Sequence, residues 1–196
     1  MTPIAITGAG AAPADVALAE PVRARAARAE RVTQLVLTAA GAALAAAGLA
    51  TVDGPPHARR GIVLGTAFGC FLTNVAFQRG VAARGPAGAS PRLFAATVSN
   101  AAAGEAAIAF RLGGPAVTLT AGAAAGSVAL GHAIDLLRRE RADALVAAAI
   151  DAVDASLADW LPPGAPVAEP NPLRLHACAA QHEPYPGADL RPLDKP

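Results

Sequence analysis

The sequence predicts an α/β domain whose mixed, mostly parallel sheet is packed against helices. Four short segments consist almost entirely of apolar residues, and segments with helical periodicity lie between them. Strands that are apolar on both faces and alternate with helices are typical of parallel sheets. The apolar fraction of 54% comes largely from alanine and only 4% of the residues are aromatic, so we expect layers that pack through small side chains. A chain of 196 residues is long enough for one domain with a substantial core.

The first part of the chain is predicted to contain a strand, a helix and a second strand. Residues 3–10 form a short apolar run that ends in a glycine turn. The arginine-rich residues 21–31 are expected to be a solvated lead-in to a helix. That helix is predicted over residues 32–48, because apolar residues recur there with the helical period. A loop containing Gly-Pro-Pro then precedes a second buried strand over residues 61–66.

The middle of the chain is predicted to contain three helices and two strands. Helices are expected over residues 68–79 and, starting with a proline, over residues 91–112. Residues 116–120 and 143–150 are the third and fourth strands. Residues 127–139 between them form an amphipathic helix. Its inward face is expected to carry Val128, Ala129, Ile134 and Leu137.

The composition changes after residue 161, where prolines become frequent. We therefore expect an α/β domain over residues 1–161 and a proline-rich C-terminal extension over residues 162–196. Within the extension, residues 173–180 are predicted to form one further strand, at an edge of the sheet.

Charge and composition exclude several classes of function. The formal net charge is +1, so the chain has no strongly basic face for nucleic acid or an acidic membrane. Residues 32–50 carry no charge over the length of a membrane span, but Thr33, Gln34 and Thr38 interrupt them, which favours a buried globular helix. Residues 1–10 lack the basic segment of a signal peptide. We expect a cytoplasmic protein.

No metal or cofactor site is predicted from the spacing of potential ligands. The two cysteines, Cys70 and Cys178, belong to no Cys-x-x-Cys motif, and no His-x-x-x-His pair is present. The Gly-Ala-Gly turn of the first strand lacks the third glycine of a dinucleotide-binding loop. Asp151, Asp154 and Asp159 follow the fourth strand, where a helix start with solvated acids is favoured over a metal cluster.

Several short motifs, taken in order, resemble those of β-ketoacyl synthases. Residues 113–130 read as strand, tight turn and helix, like the ketosynthase segment in which the turn Thr-Ala-Cys-Ser-Ser carries the nucleophile. Aligned without a gap from Gly114-Pro115, that cysteine position is occupied by Ala123. Residues 4–8, 61–69, 90–104 and 141–148 resemble other ketosynthase segments, and Asp151 stands where the family has a glutamate.

The resemblance implies one half of a thiolase-like fold and a missing nucleophile. Alanine has no thiolate, so it cannot attack a thioester. The chain matches only the first of the two similar halves of that fold, whereas the second half supplies the catalytic histidines. None of the histidines of this chain matches the motifs of that second half: His57, His132, His176 and His182. No catalytic residue and no cofactor are therefore expected.

The same resemblance suggests a chain-length-factor-type subunit. In type II polyketide, aryl-polyene and fatty-acid-like biosynthesis, such a subunit would pair with a full-length β-ketoacyl synthase as a heterodimer, shape its acyl tunnel and meet an acyl carrier protein transiently. The third strand, residues 116–120, would lie at the two-fold contact. The candidate tunnel and interface residues are Phe68, Phe71, Val75, Leu93, Phe94, Asn100, Val117, Thr118 and Leu119.

Two other functions remain open at this point. One is a small acyl hydrolase or acyltransferase that uses Ser127, Cys70 or His132, although no Gly-x-Ser-x-Gly motif surrounds Ser127. The other is a scaffold or a docking module for an acidic acyl carrier protein. Such a module would use the arginine-rich run of Arg23, Arg25, Arg28 and Arg31. A run of charges is, however, usually only a solvated surface.

Overall fold

The computed structural model describes residues 4–12, 18–154 and 157, and the backbone of residues 177–181. The strands are β1 (Ala5–Gly10), β2 (Arg60–Thr66), β3 (Ala116–Thr120), β4 (Ala144–Ala149) and β5 (Ala177–Gln181). The α-helices are α1 (Glu20–Arg28), α2 (Arg31–Ala46), α3 (Phe71–Arg84), α4 (Pro91–Ala95), α5 (Ala101–Ala109) and α6 (Ala125–Arg138). Short 3-10 helices occupy Gly85–Gly88 and Gly122–Ala124.

The five strands form one mixed sheet in the order β1-β5-β4-β2-β3. The strands β3, β2 and β4 are parallel, whereas β5 is antiparallel to both of its neighbours, β4 and β1. This arrangement confirms the predicted α/β class and its mostly parallel sheet.

The predicted edge position of the last strand is wrong. The strand β5 lies inside the sheet, between β1 and β4, and among the described strands the two edges are β1 and β3. The sequence of β5, Ala-Cys-Ala-Ala-Gln, contains no charged or bulky residue, which suits an inner strand. A position near the end of the chain does not determine a position at the edge of the sheet.

Two apolar clusters cover the two faces of the sheet. The larger cluster joins the sheet to α2 and α5, with Val36, Leu64 and Ala106 among its buried residues. The smaller cluster lies on the opposite face, where α6 packs with Ala129 and Leu137. The side chains of Leu64 and its neighbour Val63 belong to different clusters, as the two-residue period of a strand requires.

Two helix predictions need correction. The arginine-rich lead-in contains a helix of its own, α1, because Val22 is fully buried and Ala26 packs against the larger cluster. The helix predicted over residues 91–112 is divided into α4 and α5. At the end of α4, the backbone N–H groups of Ala96 and Thr97 donate to the carbonyls three residues back, those of Leu93 and Phe94, in place of the i−4 bonds that would continue the α-helix.

The inward face of α6 also differs from the prediction. Its buried residues recur every fourth position, from Ala125 to Leu137, and Val128 lies beside this row with 42% of its surface exposed. Most of the charge-free stretch over residues 32–50 lies in α2, and its residues from Val32 to Leu44 supply a large part of the larger core cluster. Within the described residues, no helix has the length and apolarity needed to cross a membrane.

Candidate functional site

The carboxyl ends of the three parallel strands meet at one edge of the sheet. The backbone N–H of Ala121, which follows β3, donates to the carbonyl of Thr66 at the end of β2 over 3.2 Å. The N–H of Ile150, which follows β4, donates to the carbonyl of Gly65 over 2.9 Å. The segments that leave β2, β3 and β4 therefore start side by side, as the predicted strand-turn-helix motif requires.

Ala123 lies at the strand-to-helix corner that the sequence predicted for it. The chain leaves β3, passes through the 3-10 turn Gly122–Ala124 and enters α6. Gly122 has a φ of 52°, a left-handed conformation that glycine adopts without strain. Ala123 is exposed at this corner. The structure therefore has a strand-turn-helix corner at this position, and the side chain exposed there is a methyl group.

A carboxylate that follows the neighbouring strand β4 holds the turn after β2. Asp151 Oδ1 accepts a hydrogen bond from the Thr66 hydroxyl over 2.6 Å and from the backbone N–H of Phe68 over 2.8 Å. The backbone N–H of Ala67 lies 3.0 Å from each carboxylate oxygen. We call residues 66–70 the β2 turn. Its conformation is fixed by a residue more than 80 positions away in the chain.

The β2 turn is joined in the same way to the segment between α4 and α5. The Thr66 hydroxyl accepts from the N–H of Gly69 over 2.7 Å, and Gly69 has a φ of 55°. The next residue, the buried Cys70, donates its thiol proton to the carbonyl of Thr97 over 2.7 Å and accepts from the amide of Asn74. These bonds connect the end of β4, the β2 turn and the α4–α5 linker, residues 96–100.

The family model for the N-terminal domain of β-ketoacyl synthases matches residues 6–157. The chain belongs to the β-ketoacyl synthase family. No curated protein matches the sequence.

Several solved structures of ketosynthases resemble this chain. A β-ketoacyl synthase from Burkholderia phymatum matches 93% of the chain with a TM-score of 0.74 and 15% identity. The ishigamide ketosynthase/chain length factor matches 97% of the chain with a TM-score of 0.71 and 21% identity. A ketosynthase, ApeO, in complex with its chain length factor, ApeC, from Xenorhabdus doucetiae matches 93% with a TM-score of 0.64 and 18% identity.

These likenesses confirm the thiolase-like ketosynthase fold that the sequence predicted. The chain spans 59% of the Burkholderia chain, 64% of the ishigamide chain and 80% of the chain from the Xenorhabdus complex. It therefore corresponds to part of a typical ketosynthase.

The candidate tunnel residues of this ketosynthase relative form two groups. The first group lies on the β2 turn, α3 and α4. Phe68, Phe71, Val75 and Leu93 are half-buried, whereas Phe94 is 64% exposed.

Two further apolar residues beside this first group, Phe77 and Val98, were not predicted from the sequence. The ring of Phe94 packs against that of Phe77 with centroids 5.7 Å apart, and Val98 in the linker is 53% exposed. Only the contact between α3 and α4 reveals Phe77, because no periodic pattern links two helices in this way. A narrow crevice next to this surface is lined by residues including Leu64, Cys70 and Ala102.

The second group lies on and beside the edge strand β3. Val117 and Leu119 are half-buried and pack against the smaller core cluster under α6. The hydroxyl of Thr118 is buried without a hydrogen-bond partner. Asn100 is exposed at the start of α5. The structure thus places Val117, Thr118 and Leu119 on the edge strand, apart from the aromatic group, whereas Asn100 lies in the α4–α5 linker.

The residues of the hydrolase alternative are engaged in structural contacts. The exposed Ser127 donates its hydroxyl proton to the carbonyl of Ala124 in the first turn of α6. Cys70 is buried and donates to a backbone carbonyl. His132 is half-buried on α6. Of the three aspartates that were predicted to be solvated acids at a helix start, Asp151 is instead bound to the β2 turn, and Asp159 lies outside the described residues.

Of the arginines of the docking alternative, Arg23 and Arg31 line a groove between α1 and α2, whereas Arg25 and Arg28 border an open groove between α1, α4 and α5. Within it, Arg25 pairs with Glu105 over 2.5 Å, and Arg92 pairs with Glu30. Arg23 pairs with Glu20 in its own helix. The positive charge of the arginine-rich run is therefore partly balanced by acids of this chain.

Proposed function

We propose that this chain is a non-catalytic, chain-length-factor-like subunit that pairs with a catalytic β-ketoacyl synthase and shapes its acyl tunnel. The biosynthetic setting would be type II polyketide, aryl-polyene or fatty-acid-like chain assembly. The observation that carries the proposal is Ala123, a methyl group at the corner where the family's cysteine would form the acyl thioester.

The choice of partners follows from the structural neighbours. Two of them contain a ketosynthase together with a chain length factor. A third, AntDE:AntF, is a type II acyl-carrier protein in complex with its ketosynthase. By analogy, a full-length ketosynthase would be the stable partner of this chain, and an acyl carrier protein would be a transient one.

The open edge of β3 is the surface that we assign to the ketosynthase. The carbonyl of Pro115 and the N–H of Ala121 both bond to β2. Because backbone direction alternates along a strand, the N–H and carbonyl of Thr118 point to the open side. Ile108 on α5 and Val128 on α6 are 56% and 42% exposed on the helices that pack against this strand. An edge strand with exposed apolar neighbours is suited to pairing with another subunit.

Two helix glycines support contact with a partner at these helices. A Cβ atom built on Gly104 in α5 or on Gly131 in α6 would find no atom within 4 Å. Glycine inside a helix costs about 1 kcal/mol relative to alanine. No described atom of this chain packs so closely against these positions that glycine is required there. The close approach of a second subunit would be a reason for glycine.

Replacing Gly131 with alanine should therefore stabilise the chain alone by about 0.5–1 kcal/mol, because the backbone becomes less flexible and no atom is displaced. Urea denaturation followed by circular dichroism measures the change. Gly48→Ala is the matched control: it is equally free of contacts but has a φ of 67°, so that alanine there should destabilise the chain. A stability loss in Gly131→Ala would contradict this assignment.

Altering the aromatic residues at the tunnel should change product length in the reconstituted pair. Phe68→Ala is expected to lengthen the main product by one or more two-carbon units, and Phe71→Trp to shorten it, since a smaller or larger side chain moves the end of the cavity. Mass spectrometry of the products measures the shift. Phe110→Leu, in the buried core, should lower stability without changing length. Unchanged products would remove the tunnel role and leave the partner role intact.

Co-expression with a ketosynthase that has an intact cysteine tests the central claim. We expect a tagged copy of this chain to retain that ketosynthase through purification, and the pair to condense acyl units that the chain alone does not. A chain that remains monomeric and never retains a ketosynthase would refute the proposal.

A second candidate function, docking of an acidic acyl carrier protein, rests on the groove beside α1. Arg28 lines this groove and Arg31 lines a pocket that shares Glu30 with it, and neither forms an ion pair with another described residue, so both add positive charge to this side of the chain. Binding of a carrier protein to this chain without any ketosynthase would favour this function over the first.

A further inference from the structure

We propose that Asp151 is a positioning residue: it fixes the β2 turn and thereby sets where Phe68 lies in the wall of the acyl cavity. This inference rests on the proposed function, since the cavity belongs to the pair with a ketosynthase. Asp151 itself would touch no acyl group. It would act through the backbone of the residues that do.

The first step is the geometry of the carboxylate. Three donors converge on it: the Thr66 hydroxyl at 2.6 Å, and the backbone N–H groups of Ala67 and Phe68 at 3.0 and 2.8 Å. A carboxylate only accepts hydrogen bonds, so it satisfies all three donors at once. Asparagine has nearly the same shape, but its amide oxygen is an uncharged and weaker acceptor, and its NH2 group would face the N–H of Ala67 in place of the second carboxylate oxygen, 3.0 Å away.

The second step is the position of the carboxylate in the sheet. Asp151 lies just after β4 and the turn begins at the end of β2, and the two strands are paired along the whole of β4, up to Gly65, the residue before the turn. The N–H of Ile150 is bonded to Gly65, directly before the turn. The backbone of Asp151 is thus fixed relative to β2. The length of its side chain then determines how far the backbone of Phe68 lies from the end of the sheet.

The third step is transmission to the exposed apolar surface. The Thr66 hydroxyl holds Gly69, and Cys70 bonds to the carbonyl of Thr97 in the α4–α5 linker. That linker carries Val98, which lines the same crevice as Thr66 and Cys70. A displacement of the β2 turn would therefore move two walls of the crevice together, the turn and the linker.

Variants of Asp151 test the inference in the full chain, alone and in the reconstituted pair. We expect Asp151→Asn to increase the hydrogen-exchange rates of the Ala67 and Phe68 amides about tenfold, the effect of replacing a charged acceptor with a neutral one. In the pair, Asp151→Asn should broaden the product lengths, and Asp151→Glu, longer by one methylene, should shift them. Asp143→Asn is the matched control, because Asp143 precedes β4 and pairs with Arg59 over 2.7 Å.

A second pair of variants covers the case in which Asp151→Asn does not fold. Thr66→Val removes the hydroxyl that links Asp151 to Gly69, and Thr66→Ser restores it. We expect Thr66→Val to alter product length and Thr66→Ser to return it to that of the original chain. If the Thr66 hydroxyl only stabilised the fold, Thr66→Val would lower the yield of protein without changing the length of the product.

The outcomes separate this inference from the proposed function. Unchanged exchange at Ala67 and Phe68, or faster exchange with unchanged product lengths, would overturn the positioning role while the partner role stands. If the original chain retains no ketosynthase, the proposed function fails first and the role in product length falls with it. In that case the exchange data would still decide whether Asp151 fixes the turn.

Discussion

Replacing Gly65 with alanine is expected to destabilise this ketosynthase relative by about 3 kcal/mol or more, at the upper end of the effects of overpacking. Gly65 lies in β2, directly under the start of α6. A Cβ atom there would lie 2.1 Å from the carbonyl oxygen of Ala125 and 2.7 Å from its carbonyl carbon. Both are backbone atoms, so no side-chain rotation relieves the clash. The whole helix would have to move away from the sheet.

The same displacement should disturb the corner that carries Ala123. Since α6 starts at Ala125, moving it off β2 also moves the 3-10 turn that precedes it. Urea denaturation followed by circular dichroism measures the loss of stability. Gly104→Ala serves as the control, because a Cβ there meets no atom within 4 Å and alanine favours the helix. Equal unfolding midpoints for the two variants would show that α6 does not approach β2 so closely.

Replacing Thr118 with proline is expected to abolish retention of a ketosynthase while leaving the chain folded. The N–H of Thr118 points to the open side of β3, away from β2, so its loss removes no hydrogen bond within the sheet. Proline is tolerated on edge strands for this reason, and it removes a donor that an added strand would use. We expect the amount of retained ketosynthase to fall at least about tenfold, as the loss of one or two backbone bonds at an interface implies.

Thr118→Val is the matched control for this experiment. It keeps the backbone N–H and the shape of the side chain, and it removes a buried hydroxyl that has no partner. It should therefore stabilise the chain alone by about 1 kcal/mol, since an unsatisfied buried polar group carries a penalty of that order. Co-purification yields compare the two variants. Full retention of a ketosynthase by Thr118→Pro would exclude β3 as the pairing edge.

Local sequence patterns determined the α/β class, the order of the elements and the corner that holds Ala123. A buried strand and an amphipathic helix reveal themselves over a few residues, because burial repeats with the period of the local backbone. The alanine at the nucleophile position needed only a short alignment with the family's motif. For the same reason, the split between α4 and α5 was missed: residues 91–112 are apolar enough for one helix, and the backbone bonds to carbonyls three residues back that end α4 are a detail of conformation.

The tertiary structure alone decided the lateral order of the strands and the partners of Asp151. The strand β5 occupies an inner position because it pairs with β4 and β1, and no pattern within its five residues specifies those neighbours. The carboxylate of Asp151 meets the β2 turn only because β2 and β4 lie side by side, although 83 to 85 residues separate the bonded groups. The periodicity of apolar residues indicates which face of a helix or strand is buried. It carries no information about which distant element covers that face, because that choice depends on the packing of the whole chain.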